Sequence, residues 1–241
     1  MFVSHLSLTD FRSYSNLELS FKPGQNIFIG ENGEGKTNII ESLMYLALLS
    51  SHRISSDQPL VKLGAERAYV RAKVESEERT TLVELEINAS KANRAKVNQN
   101  PVRSQKELVG IAKSICFSPE DLDLVRGDPS ERRSFLDQLL VQRSPRLAGV
   151  ISDYERALKQ RNSLLKSRAP QSSLTPWDEH LANFGSEVIA GRLKLISEIE
   201  PLFQEAYKNL SEKKVARLGY KSSVTNADTN KDENKERILA V

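Results

Sequence analysis

Cysteine is almost absent from this chain: Cys116 is the single example in 241 residues. One thiol excludes an intramolecular disulfide. Within the strand-like run Ser114-Ile115-Cys116-Phe117 it reads as a small buried hydrophobe. Long hydrophobic runs are missing too, and none approaches the roughly 18–20 residues that a membrane-spanning helix needs. Met1-Phe2-Val3-Ser4-His5-Leu6 has no basic start and runs directly into an apparent strand, so no signal peptide is expected. Histidine is scarce, and His5, His52 and His180 show no spacing suited to metal binding or catalysis; they read as surface or packing residues. Nor is there a strong overall charge, since 35 Lys and Arg against 32 Asp and Glu leave only +3. The charge is nevertheless unevenly placed. Residues 126–168 hold ten Arg and Lys against five acidic residues, and the remainder is slightly acidic. A local basic surface suits a polyanionic partner, although a solvated helical face would look the same.

What is present is a phosphate loop. The run Gly30-Glu31-Asn32-Gly33-Glu34-Gly35-Lys36-Thr37 completes the Walker A spacing. A short apolar strand is expected before it, over Asn26-Ile27-Phe28-Ile29, and a helix after it from Asn38 to Leu46. The chemistry needs that order. Glycines let the backbone curl so that successive amides face a phosphate, and the helix start adds its unpaired donors and dipole. Lys36 would reach the β- and γ-phosphates of ATP, and the Thr37 hydroxyl would ligate Mg²⁺. The segment is a poor dinucleotide fingerprint, because Asn38 stands where a third glycine is required. A nucleotide site beside a reduced thiol argues for a cytoplasmic protein with no membrane partner.

Around the loop the pattern is β. Leu17, Leu19 and Phe21 alternate with polar residues, as do Val70, Ala72 and Val74, then Val83, Leu85 and Ile87. Turns are expected at Lys22–Gln25, Ser76–Arg79 and Asn98–Pro101, with a short strand near Ala95–Val97. Sequential hairpins make an antiparallel sheet. That is unusual beside a phosphate loop and points to the ATP-binding-cassette lineage rather than to parallel-sheet kinases. Near residue 128 the character turns helical. Start signals occur at Asp128-Pro129-Ser130-Glu131, Ser144-Pro145 and Thr175-Pro176-Trp177-Asp178. Two helices, about 145–167 and 176–210, carry apolar residues at spacings of three, four and seven, and the link 167–173 makes them an antiparallel hairpin. The polar stretch 222–235 reads as loop or disorder, with Glu236–Val241 ready to begin a new element.

Several stretches together resemble the RecF family of bacterial recombination-repair ATPases, related to SMC-type cassette proteins. They are Leu8-Thr9-Asp10-Phe11-Arg12 with Tyr14, the loop followed by Asn38-Ile39-Ile40-Glu41, and Phe117 to Leu122. Gly127 to Asp137, Tyr154 to Leu165, and Pro176-Trp177-Asp178 complete the set. The segments at 127–137 and 154–165 are the most particular to that family, and the likeness covers nearly all of the first 200 residues. It implies an α/β fold: a P-loop ABC-ATPase-like head with an antiparallel β-subdomain and an inserted helical, coiled-coil-like lobe, its C-terminal part missing. The expected divisions are 1–125 for the head, 126–215 for the helical lobe and 216–241 for the start of a return to the head. The resemblance further implies ATP-dependent homodimerisation, binding to duplex and gapped DNA, a RecR-type mediator as partner, and help in loading a recombinase. It places Arg12 and Arg53 near the nucleotide. The basic residues Arg126, Arg132, Arg133, Arg143 and Arg146 are the candidates for DNA phosphates, with local ion pairing as the alternative for Arg132 and Arg133.

The family's Ser/Gly signature motif and its strand ending in paired acids do not occur in these residues. Asp121 and Asp123 follow a Pro-Glu turn with no apolar strand leading to them. Hydrolysis needs such carboxylates, so slow turnover is expected. Two other functions fit the loop: a nucleotide-gated interaction module that does not consume ATP, and a small P-loop phosphotransferase. The antiparallel hairpins and the lack of an acceptor-binding arginine cluster near the loop argue against the last.

Overall fold

The computed structural model describes residues 1–240 apart from His52, Ser55, Glu78, Glu212 and Lys213. The reading of His52, the centre of the 76–79 turn and the last residue of 236–241 therefore lie outside the described residues. The chain divides into two compact units, 1–121 and 122–241.

Period-two alternation builds the first unit. Strands β1 (Phe2–Phe11), β2 (Tyr14–Ser20), β3 (Arg67–Glu75), β4 (Thr80–Asn88), β5 (Arg94–Val97) and β6 (Asn100–Pro101) form one sheet in the order β2-β1-β3-β4-β5-β6. Every pairing is antiparallel. Leu6, Leu8, Val70, Ala72, Val74, Val83, Leu85 and Ile87 all point to one face and are buried. Helix α1 (Lys36–Leu48) covers that face with Ile39, Tyr45, Leu46 and Ala47. The opposite face carries charge: Arg71 pairs with Glu84 at 3.3 Å and lies 4.6 Å over the Tyr69 ring.

Two expected strands are not formed. Residues 26–29 and 114–117 have no ladder partner among the described residues. A strand is defined by its neighbour, and local alternation cannot supply one. Both segments are apolar on both faces, which is the pattern of a strand covered on both sides. Here Phe28 packs on the core while Ile27 and Ile29 are 79% and 93% exposed, and Ile115 and Phe117 are 77% and 90% exposed.

The second unit is helical: α2 (Asp123–Arg126), α3 (Pro129–Arg143), α4 (Leu147–Lys166), α5 (Gln171–Leu210) and α6 (Lys231–Leu239). Helices α4 and α5 form the expected antiparallel hairpin. Arg161 meets Asp178, Tyr154 lies against Gly185 and Leu147 against Gly191, so partner numbers rise as α4 numbers fall. Leu140, Leu147 and Leu195 centre the core of α3, α4 and α5. Inside it Asp137 receives two hydrogen bonds from Arg192, at 2.8 and 2.6 Å, and Arg192 also donates to the Tyr220 hydroxyl at 3.1 Å. Burial works against the Arg192 charge, but these acceptors outweigh it and raise its pKa.

Two expectations change. Helix α5 starts at Gln171, with Pro170 at its cap, so Thr175-Pro176 lies inside the helix rather than opening it. Buried Leu174 holds that turn, and the Thr175 hydroxyl donates back to the Gln171 carbonyl at 3.1 Å. Part of the polar stretch 222–235 is ordered into α6, because the Asn230 side chain accepts from the amides of Asp232 and Glu233, two carboxylates favour the first turn, and the wholly buried Asn234 bonds both ends of Asp228's backbone. Residues 216–241 lie in the second unit, where Lys231 pairs with Glu187 and Ile238 approaches Gly185 on α5.

Candidate nucleotide site

Residues 30–37 bend between the segment after β2 and the start of α1. Gly33 and Gly35 both take φ of +92°, where a side chain is strained. At Gly35 there is no room either: a Cβ would stand 2.8 Å from both the Ser13 and Tyr14 hydroxyl oxygens. Asn38 and Ile39 donate their amides to the Gly35 carbonyl, at 2.8 and 3.3 Å. Among the described residues, the amides of 32–37 have no acceptor, and residues 31–34 and 37 are exposed. No acidic residue occupies the first turn of α1 and no side chain caps it. The result is a row of open donors at a helix start, the arrangement that takes an anion.

Of the eight loop residues, Gly30, Glu31, Asn32, Gly33, Glu34, Gly35, Lys36 and Thr37, two have engaged side chains. Lys36 Nζ folds back to donate to the carbonyls of Gly30 and Glu31, at 2.8 and 2.5 Å. Glu34 Oε2 accepts from the Glu31 amide at 3.2 Å. The Tyr14 hydroxyl braces the bend by donating to the Glu34 carbonyl at 3.2 Å. Burial, and then the Glu34 charge, raise the Tyr14 pKa. No ligand or metal is part of this structure; the donors present suit phosphate, and the Thr37 hydroxyl is of the kind that Mg²⁺ accepts.

Behind the loop Arg12 and Arg53, which the family resemblance sets near the nucleotide, meet a buried carboxylate, Glu41, that sequence reasoning missed. Glu41 is wholly buried in α1 and accepts from Arg12 Nε at 2.9 Å and Arg12 Nη2 at 2.6 Å. The Ser51 hydroxyl donates to it at 2.5 Å, and Arg53 stands 3.5 Å away. Burial would raise the Glu41 pKa, yet the hydrogen bonds of Arg12 and Ser51 and the two guanidinium charges hold it below its ordinary value. Arg12 is pinned in the left-handed region at φ 52°, its amide donating to the Leu60 carbonyl at 2.8 Å and its Nη1 to the Pro59 carbonyl at 2.9 Å. The signal was there: Glu41 falls among Ile39, Ser42, Tyr45 and Leu46 on the inward face of an amphipathic helix. An open pocket of about 670 Å³ adjoins the cluster, lined by Arg12, Ser13, Asn38 and Arg53 together with Gln58 and Lys62. Thus Arg12 and Arg53, Asn38 at the helix start and Ser13 beside Gly35 share one concavity.

The five arginines proposed for DNA all belong to the second unit and are differently employed. Arg132 donates to the carbonyls of Leu124 and Gly127, at 3.2 and 3.0 Å, capping α2. Arg143 pairs with Glu198, and Arg146 with Glu187. Those partners are eleven residues apart on α5, about 16 Å along its axis. Arg126 and Arg133 are exposed and make no ion pair among the described residues. No group of three or more His, Cys, Asp or Glu is placed to hold a metal among the described residues, and no helix is long and apolar enough to cross a membrane.

A family model for an AAA domain matches residues 5–240. Among curated proteins, the DNA replication and repair protein RecF of Streptomyces avermitilis is 52% identical over 221 residues, covering 88% of this chain and 59% of that protein. RecF of Kineococcus radiotolerans is 51% identical over 233 residues, covering 93% and 60%. The chain thus spans about 60% of the length of the curated relatives it matches. Among solved structures, the recombination mediator protein RecF in its ATP form, of the RecFOR pathway, superposes with a TM-score of 0.87 at 26% identity, over 99% of this chain and 66% of that one. An SMC head bound to the C-winged helix domain of ScpA superposes at 0.56 with 18% identity, over 92% and 64%, a likeness of fold alone. The fold is therefore that of RecF and SMC ATPase heads, an antiparallel sheet and a phosphate-loop helix with a helical lobe, and the chain belongs to the RecF family of AAA-domain proteins.

Proposed function

We propose that this chain binds ATP, with Mg²⁺, at residues 30–37 as part of a DNA replication and repair ATPase of RecF type. The open amides of 32–37 beside Lys36 carry the reading. Lys36, now on two loop carbonyls, would hold phosphate oxygens, the Thr37 hydroxyl would hold Mg²⁺, which would neutralise phosphate charge, and the pocket at Arg12, Asn38 and Arg53 would take the rest of the nucleotide. The ATP-bound form of a RecF protein with nearly the same fold supports this assignment. Duplex DNA, gaps in it, a RecR-type mediator, homodimerisation driven by ATP and recombinase loading follow from the family. Of the five candidate arginines, Arg126 and Arg133 make neither an ion pair nor a hydrogen bond to a carbonyl among the described residues, and they are the first to examine for phosphate contact. Salt-dependent duplex binding measured with and without ATP, beside ATP binding by the Lys36→Ala protein, tests the reading. ATP affinity unchanged by that substitution would overturn the site.

A second reading has its own support. No apolar strand ending in paired acids occurs in these residues, since Asp121 and Asp123 follow a Pro-Glu turn, and this favours a nucleotide-gated state that these residues hold without rapid hydrolysis. Turnover well below one per minute, with ATP bound, is the result that reading expects.

A further inference from the structure

The phosphate loop contains an anion of its own. Glu34 Oε2 crosses the mouth of the bend to the Glu31 amide, 3.2 Å away. It also packs against Gly30, where an added Cβ would overlap it, and that same position lies 3.9 Å from Lys36 Nζ. The carboxylate and the ammonium therefore converge on the same end of the loop, at Gly30 and Glu31. The backbone that carries Glu34 is braced by the Tyr14 hydroxyl at 3.2 Å and by the tight seating of Gly35. A backbone held in this way gives the side chain a short reach and keeps its charge near the cradle. The carboxylate is exposed to solvent, so nothing but the Glu31 amide and the neighbouring ammonium field rewards this placement.

A triphosphate entering this bend meets that negative charge within a few ångströms. Either the side chain swings away and surrenders its hydrogen bond, or two anions share one set of donors. Both lower affinity, and the second does so in proportion to ligand charge. Free ATP carries about four negative charges at neutral pH, and its magnesium complex about two, because the ion contributes its own charge to the site. We propose that Glu34 is an internal competitor for the phosphate cradle, and that it sets a preference for the metal-bound nucleoside triphosphate over the free one.

The proposal rests on the nucleotide reading above, and the experiment keeps the two apart. Dissociation constants for ATP are measured by calorimetry for the unaltered chain, Glu34→Gln and Glu34→Ala, with Mg²⁺ and in EDTA, at 0.1 and 1 M KCl. Both variants are expected to tighten metal-free ATP about tenfold and the magnesium complex about threefold, with both gains shrinking at high salt. Thermal melting should be unchanged, since the side chain is exposed. Equal gains with and without metal, or no gain, overturn the preference while leaving the site standing. Failure of the unaltered chain to bind ATP at all removes the site, and this proposal with it.

Discussion

Lys36 and Glu41 share one helix, and the first serves the ligand while the second serves the fold. Lys36 touches only two exposed loop carbonyls, so Lys36→Ala should lower ATP affinity at least a hundredfold while moving the melting temperature by no more than about 2 °C; calorimetry and a thermal scan read both. Glu41 has no exposed surface and holds Arg12 through two hydrogen bonds. Glu41→Gln should cost about 3 kcal/mol, because it leaves the guanidinium without its charge partner. Its acidity gives the sign of the pH effect. The folded carboxyl titrates below its unfolded value of about 4.3, so its contribution is present above that pH and is lost as pH falls through the lower folded value. Urea titrations should show the gap between the two proteins widest near neutrality and narrowing below about pH 4. At Gly35, alanine meets both a positive φ and two hydroxyl oxygens at 2.8 Å; loss of ATP binding with an intact sheet by circular dichroism is expected.

Regular elements were legible where a pattern repeated itself along several turns or strands. The alternation at Val70–Val74 and Val83–Ile87 became β3 and β4, and the three–four–seven spacing became the α4–α5 hairpin. Errors arose where a local cue competed with packing. Thr175-Pro176 imitates a helix start, but buried Leu174 lies one step upstream and draws that turn into α5. Residues 231–239 offer little to bury, and α6 exists through its Asn230 cap, the Arg237 pair with Glu233 and buried Asn234. Asn230→Ala should therefore cost the element about 1 kcal/mol and speed amide exchange across 231–237 while leaving α4 protected.

Over the whole molecule, the phosphate loop could be read from eight consecutive residues, whereas the cluster behind it could not. Arg12 and Arg53, set near the nucleotide by resemblance, come from a hairpin turn and a loop, and only folding reveals that Glu41 on α1 joins them. The basic bias at 126–168 was equally visible, but charge counting could not show that Arg143 and Arg146 already face Glu198 and Glu187. The exposed apolar side chains of Ile27, Ile29, Ile115 and Phe117 have a measurable signature. Replacing Ile29 and Phe117 with serine should sharply reduce binding of a hydrophobic dye, with stability altered by less than about 0.5 kcal/mol.

The 40-residue span of α5 is about 60 Å long, and the Asp137–Arg192 pair grips it near the middle. Arms of roughly 30 Å reach either way from it. The pairs of Glu187 with Arg146 and Lys231 and of Glu198 with Arg143 lie within six residues of that grip, and Asp178 with Arg161 lies fourteen residues before it, so the rod is tied at its centre and toward its start, while residues 199–210 carry no ion pair among the described residues.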